Sequence, residues 1–346
     1  MLADLPILAI CGWSGSGKTT LIEPLVRRLA GRGLKVAVVK HDVHGLDVDR
    51  PGKDSDRLFR AGADVLLQGE EEVFFRTRPS DCRTLTSALS SLVQQHDLVL
   101  VEGHKKTALP KIWLLRDDES EPPDDVDSVL ATLPWDTDRL GAAIALLDRW
   151  LPAQWLKTPV FGCVLIGGKS RRMGRPKHLI VEGGKTWLER TVALLEQVCQ
   201  RLVIAGAGEV PASLARHVRL PDVPDAEGPL SGILAAMRWA PHASWLVVAC
   251  DLSDLSLEAL QWLLSTRAPG VWATVPKLTG SARVEPLLAH YDFRARALLE
   301  EIAAEGDFRV HRVVARSRAI TPSPPPELTL AWRNVNTETM LKSHPL

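Results

Sequence analysis

The stretch Val160–Lys177, V-F-G-C-V-L-I-G-G-K-S-R-R-M-G-R-P-K, decides how the chain is read. Val160–Ile166 is an apolar run short enough to be a buried strand. The segment Leu165–Lys177 then packs Gly167, Gly168, Ser170 and Gly174 among Arg171, Arg172, Arg175 and Lys177. Glycines let the backbone come close to a ligand, and successive N–H groups cup phosphate oxygens. The cations add charge where a polyphosphate would lie. A strand followed by such a loop predicts a nucleoside triphosphate site at the edge of an α/β sheet.

The rest of the second half supports that sheet. Leu188, Val192, Leu195 and Val198 mark a helix face, and Arg201–Ala205 reads as a strand. A helix near Ser231–Trp239, a strand Trp245–Cys250, a helix Leu257–Ser265 and a strand Val271–Val275 follow. Alternating units of this size predict a mostly parallel sheet covered on both faces, with ligands at the carboxyl ends of its strands. Leu165–Lys177, Asp222–Gly228 and Asp251 all follow strand candidates. Asp251 would emerge at the rim where Mg²⁺ bridges triphosphate oxygens, or would serve as a turn former or helix cap. Asp222 either binds base or ribose or shapes the turn before Gly228.

The first half carries its own phosphate motif. Pro6–Cys11 is a strand candidate leading into Gly12-Trp13-Ser14-Gly15-Ser16-Gly17-Lys18-Thr19. This is G-x-x-x-x-G-K-[ST], followed by a helical pattern of Leu21, Ile22, Leu25, Val26 and Leu29. Its backbone N–H groups, among them those of Gly12, Gly15 and Gly17, would cradle phosphate. Lys18 would reach the β and γ oxygens, and the Thr19 hydroxyl would join a Mg²⁺ shell. Lys35–Lys40 and Asp97–Val101 read as further strands. Glu102, at the end of the second, is either a Mg²⁺-water ligand or a solvated strand end. The loop His41–Ser55 holds His41, Asp42, His44, Asp47 and Asp49, whose spacing fixes no metal geometry and suits a polar loop beside nucleotide.

Val129–Leu133 predicts a last strand of this half, and Asp138–Leu151 a helix. Pro152–Pro159 is the best linker, which divides the chain into residues 1–152, a linker 153–159 and residues 160–346. At 346 residues, two domains of ordinary size are expected. Lysine plus arginine and aspartate plus glutamate both number 42, so the formal net charge is zero. That excludes an overall nucleic-acid or acidic-membrane footprint. No apolar run has membrane-spanning length, and the opening residues lack a secretory pattern. The five cysteines form no C-x-x-C pair, so a reduced, cytoplasmic protein is expected. Eleven tryptophans against one tyrosine receive no functional reading.

Residues Gly12–Thr19, Lys40-His41-Asp42, Pro51-Gly52-Lys53-Asp54-Ser55, Ala61-Gly62-Ala63 and Leu100-Val101-Glu102-Gly103-His104-Lys105 resemble MobB, the P-loop adaptor family of molybdopterin guanine dinucleotide biosynthesis. The likeness covers about 6–115. It implies a P-loop NTPase-like domain that binds GTP through Lys18, Thr19 and Glu102 and assists a guanylyltransferase, with oligomers formed through this domain. The second half is similar to MobA, the molybdenum cofactor guanylyltransferase family, over about Val160–Leu341. That likeness rests on Gly167–Gly174 with Lys177, Gly228-Pro229-Leu230-Ser231-Gly232, Asp251, Glu285-Pro286-Leu287 and Asn334-Val335-Asn336-Thr337.

The second resemblance implies a Rossmann-like nucleotidyltransferase domain in which the Gly167–Lys177 loop and Asp222 contact GTP. By the same likeness Asp251 holds Mg²⁺, and Asn334 and Asn336 lie near molybdopterin, with or without molybdenum. Arg172, Lys177 and an Asp251-held Mg²⁺ would then supply the electrostatic stabilisation. Molybdoenzyme apoproteins or their chaperones would be recipients of the product. Ser253 departs from the family, which carries a proline two places after the aspartate. A cytidylyl or sugar-phosphate nucleotidyltransferase, and a non-catalytic GTP-binding delivery scaffold, are the alternatives.

Overall fold

A computed structural model describes residues 4–40, 49–78, 84–167 and 176–334. The chain divides into two compact units, Met1–Leu146 and Leu147–Leu346.

In the first unit, β1 (Ile7–Cys11) leads into α1 (Lys18–Gly31), β2 (Val36–Lys40), α2 (Asp54–Arg60) and the hairpin strands β3 (Val65–Gln68) and β4 (Val73–Arg76). Then come α3 (Leu85–Val93), β5 (Leu98–Glu102), β6 (Lys111–Leu114), β7 (Val129–Leu133) and α4 (Arg139–Leu156), whose residues from Leu147 onward belong to the second unit. Five strands form one sheet in the order β2-β5-β1-β6-β7, all parallel. Every residue of β1 and β5 is buried, and both are apolar runs apart from Glu102 at the end of β5. α1 lays Leu21, Ile22, Leu25 and Leu29 into the core, with Val26 at its margin.

Strand β6 escapes sequence reading because it opens on a lysine. Lys111 is fully buried, and its ammonium donates to the carbonyls of Thr107 (2.8 Å) and Asp127 (2.5 Å), which replace its water. The segment expected as a linker continues α4 to Leu156, through Pro152. Trp155 is buried, and Arg267 donates to the carbonyls of Trp155 (3.2 Å) and Thr158 (2.9 Å). Apolar burial and these bonds give the 153–159 segment an ordered course.

The second unit adds β8 (Val160–Leu165), β9 (Val181–Glu182), β10 (Lys185–Thr186), α5 (Trp187–Leu195), β11 (Arg201–Ala205), β12 (Val218–Leu220), α6 (Pro229–Trp239) and β13 (Ser244–Ala249). α7 (Leu257–Ser265), β14 (Ala273–Thr274), β15 (Leu288–Tyr291), α8 (Ala295–Ala304) and β16 (Ala319–Ile320) complete it. Seven strands pair in the order β12-β11-β8-β13-β15-β14-β16, with β15 antiparallel to both neighbours. Alternation along the strands serves two cores. Phe161, Cys163, Val203, Trp245 and Val247 join one cluster with α6 and α8, whereas Val164, Ile204, Leu246 and Val248 join another with α5 and α7. A capping box starts α5: Thr186 Oγ1 accepts from Glu189 N at 3.1 Å, and the Glu189 carboxylate accepts from Thr186 N at 2.7 Å.

The carboxyl edge of this sheet leaves no room for a side chain at Gly206. Its φ is +110°, and a Cβ there would lie 2.0 Å from the carbonyl oxygen of Ile166. Gly206→Ala is expected to destabilise the protein by about 2–4 kcal/mol, combining positive-φ strain with overpacking against backbone. Chemical denaturation followed by tryptophan fluorescence measures it; a loss below half of the lower figure would show that the edge yields.

Candidate nucleotide sites

The P-loop joins the central strand β1 to α1. Gly12, Gly15 and Gly17 take φ values of 148°, 78° and 81°, the last as the left-handed N-cap of α1. A Cβ on Gly12 would lie 2.4 Å from Ser16 Oγ and 2.6 Å from Leu114 O, so only glycine fits that close passage. Gly17 brings no capping side chain to the helix N-terminus, and the first turn holds no acidic residue. This leaves the polarity of the site to its N–H groups and to Lys18.

Register supplies the carboxylate. β1 and β5 pair in parallel with Ile10 opposite Glu102, which carries Glu102 to the start of the loop. Thr19 Oγ1 donates to Glu102 Oε1 at 2.8 Å. Glu102 is therefore bonded to the loop's threonine rather than being a solvated strand end. Lys18 Nζ donates to the carbonyls of Gly12 (3.1 Å) and Trp13 (2.8 Å). Burial holds its ammonium below the ordinary lysine value, against the pull of Glu102. Burial likewise pushes the Cys11 thiol up to about 11, so it is a packing group, not a nucleophile.

Two features of this site were not read from the sequence. Arg139, the first residue of α4, donates to Ser16 O at 2.8 Å, to Leu133 O at 3.2 Å and to Leu115 O. Lys105 stands 3.4 Å from the centroid of the Trp13 ring. An arginine at a helix start and a lysine in a polar turn carry no local signal of such contacts. Asp49 is taken by Ser55 (2.9 Å) and Arg76 (2.7 Å), while His41, Asp42, His44 and Asp47 lie outside the described residues.

In the second unit the parallel strands β12, β11, β8 and β13 end along one edge, which gathers Asp222, Leu165, Gly167 and Asp251. Lys177, in the turn Lys177–Leu179, reaches Asp251 Oδ2 with Nζ at 2.9 Å. That turn is pinned by His178, whose Nε2 stands 2.9 Å from Glu209 O. Burial lowers the pKa of His178, so the ring is neutral and Nε2–H donates. Leu165 O accepts from Cys250 N at 3.2 Å, tying β8 to the residue before Asp251.

Gly232 brings α6 close to this edge: a Cβ there would lie 2.8 Å from Leu165 Cδ2 and 3.9 Å from Asp222 Oδ1. Asp222 is exposed. Asn334 arrives by an antiparallel bridge to Leu252, the residue after Asp251. The segment before it is anchored by Trp332, which donates through Nε1 to Leu288 O at 3.0 Å, and by Arg333, paired with Asp254 at 2.8 Å. At Ser253, where the resemblance led to the expectation of a proline, the carbonyl accepts from Arg190 at 3.4 Å. Arg172, Gly168, Ser170, Gly174 and Asn336 lie outside the described residues.

Among the described residues no group of three or more histidines, cysteines and carboxylates is arranged for a metal. Each strand-end site nevertheless offers oxygen: a hydroxyl and a carboxylate at Thr19 and Glu102, a carboxylate at Asp251. That donor set suits a hard divalent cation that keeps most of its coordination for phosphate and water, as Mg²⁺ does.

A phosphate loop closing on a strand-end carboxylate in the first unit, and a lysine–aspartate pair at a sheet edge in the second, define a P-loop domain fused to a nucleotidyltransferase. Residues 7–134 match the family described as molybdopterin guanine dinucleotide synthesis protein B, and residues 162–320 the MobA-like NTP transferase domain. The chain belongs to both families, in that order, and is a fused, bifunctional member.

It is 39% identical over 146 residues to the molybdopterin-guanine dinucleotide biosynthesis adapter protein of Haemophilus influenzae, covering 39% of this chain and 80% of that protein. It is 32% identical over 149 residues to a probable molybdenum cofactor guanylyltransferase of Bacillus mycoides, covering 40% of this chain and 74% of that protein. A molybdenum cofactor biosynthesis bifunctional protein of Synechocystis is 31% identical over 137 residues, 39% of this chain and 40% of that one. No helix among the described residues is long and apolar enough to cross a membrane.

The Arg139 guanidinium reaches carbonyls through three separate nitrogens, a wider spread than a lysine ammonium offers. Arg139→Ala is expected to cost about 1–3 kcal/mol, the penalty for carbonyls left unpaired. Arg139→Lys should recover less than half of it. Thermal denaturation of the three proteins checks this, and full recovery by lysine would show that charge alone matters.

Proposed function

We propose that the second domain transfers GMP from GTP to the terminal phosphate of molybdopterin, with or without molybdenum bound. Pyrophosphate leaves, and molybdopterin guanine dinucleotide is the product. The observation that carries this reading is the Lys177–Asp251 pair, a cation and a carboxylate 2.9 Å apart at the carboxyl edge of a nucleotidyltransferase sheet. Family membership supports the reaction class.

An ionised phosphate oxygen of the pterin substrate attacks the α-phosphorus of GTP. A new P–O bond forms as the bond from the α-phosphorus to the bridging oxygen breaks, and the electron pair leaves with pyrophosphate. The attacking oxygen is already an anion, so no general base is needed. Negative charge spreads over the phosphate oxygens, and stabilising that charge is the main work of the site. Lys177 turns from the Asp251 carboxylate to those oxygens, and Arg172 adds a second cation. Asp251 is the residue to hold Mg²⁺, which when bound would withdraw charge from the phosphates. Asp222 faces the nucleoside, and Asn334, bridged to Leu252 beside Asp251, faces the pterin. Leu165, Gly167, Gly168, Ser170 and Gly174 of the Leu165–Lys177 segment are the loop's contacts with GTP.

The first domain binds GTP through the Gly12–Thr19 loop, with Lys18 on the phosphates and Thr19 and Glu102 as the Mg²⁺-side groups. Residues 1–152 act as the adaptor and 160–346 as the transferase, joined through 153–159. The protein works in the cytoplasm, a reading supported by free Cys11, Cys163, Cys199 and Cys250 among the described residues.

Pyrophosphate release with Mg²⁺ and molybdopterin, offering GTP, CTP, ATP and UTP in parallel, tests the assignment. Release with GTP and a guanine dinucleotide product is expected. Release with CTP would keep the mechanism and replace the base, whereas silence with all four, despite GTP binding, would favour the delivery scaffold. Asp251→Asn is expected to lower kcat by about a thousandfold, the scale of losing one principal electrostatic group. Undiminished turnover by that variant would remove Asp251 from the chemistry.

A further inference from the structure

The P-loop unit holds an ammonium group that the phosphate-loop motif does not account for. Beyond Glu102, the chain turns through Gly103 and His104, whose φ values of 86° and 55° are both positive. Histidine lacks glycine's freedom there, so surrounding contacts hold the turn against its own preference. The turn sends Lys105 back over the loop, with Nζ 3.4 Å from the Trp13 ring centroid. Trp13 is the loop's second residue. Its ring meets Trp113 edge to face at 6.3 Å, and its carbonyl accepts from Lys18 at 2.8 Å. Two ammonium groups therefore converge on one residue at the mouth of the loop, one on its carbonyl and one on its ring. Two like charges gathered on one residue repel each other.

A triphosphate would relieve that repulsion. Loop N–H groups, the helix N-terminus and Lys18 account for the β-phosphate and the β–γ bridge, leaving terminal oxygens that carry most of the charge. A partly exposed cation–π contact is weak, whereas a charge-assisted hydrogen bond to phosphate is strong and short. The Lys105 stem is flexible enough to exchange one for the other.

We propose that Lys105 is a phosphate-binding residue of the P-loop domain that reads the terminal phosphate of a nucleoside triphosphate, leaving the Trp13 ring to do so. It distinguishes a triphosphate from a diphosphate in this domain, and Trp13 holds it in reach. The assignment rests on the reading of Gly12–Thr19 as a nucleotide site.

The test is calorimetric titration of the full chain carrying Lys177→Met, which weakens the transferase site, with GTP and with GDP. The share of binding removed by a further Lys18→Ala defines the P-loop site. Lys105→Met is expected to weaken that share at least tenfold for GTP and less than threefold for GDP, with an unchanged melting temperature. Lys105→Arg should keep most of the GTP affinity. A GTP affinity within threefold of the parent overturns the proposal. An equal loss for GTP and GDP overturns it too, because Lys105 would then only shape the loop. Absence of any Lys18-dependent binding in the parent is a different failure, in which the nucleotide reading of the loop falls and takes the role of Lys105 with it.

Discussion

Parallel pairing of neighbouring strands, held in register over four to six residues, is the constraint on which both sites depend. In the first unit it sets Ile10 opposite Glu102 and so delivers a carboxylate to Thr19. In the second it sets Leu165 opposite Ala249, two residues before Asp251, and so delivers a carboxylate to Lys177. A slip by one residue would turn each strand's side chains to the opposite face. It would also carry the carboxylates away from the loops. Strand pairing and site geometry are therefore set together, because the apolar run and the acid at or just past its end belong to the same strand.

The backbone beside each site is held by polar side chains that are buried or half-buried. Lys111 binds two carbonyls from a position with no exposed surface, and Arg139 gathers carbonyls from the P-loop and from the strand ends β6 and β7. Such groups are costly to desolvate, and their return lies in fixing irregular backbone that no helix or sheet ladder can satisfy. His178 does the same in the second unit with a neutral ring. A P-loop backbone held in this way limits the reorganisation a bound triphosphate would demand.

The sequence was informative where the requirement is local. β1, β5, β8 and β13 are dense apolar runs, and each ends near the loop or acid that the reading singled out. It was silent where a polar residue sits inside an element. Lys111 conceals β6, and His290, fully buried and with its pKa lowered to about 3 by burial, conceals β15. α4 was read too short because Pro152 suggests an end, although Trp155 beyond it is buried in the core. The hairpin β3–β4 leaves Leu66, Val73 and Phe75 exposed, so its strands do not show the alternation of a half-buried sheet.

By itself, the sequence determined two glycine-rich loops that carry basic residues, each after a buried strand. Positive φ, close backbone approach and positive charge must all be met by residues adjacent in the chain. Only the tertiary structure decided which distant groups complete those loops. Glu102 meets Thr19 across 83 residues, Lys177 meets Asp251 across 74, and Asn334 bridges back to Leu252. Lys105 on Trp13, Arg139 on Ser16 and the exclusion of any side chain at Gly206 belong to the same class. Strand order and register set those meetings, and both follow from how whole sheets bury their faces rather than from any short run of residues.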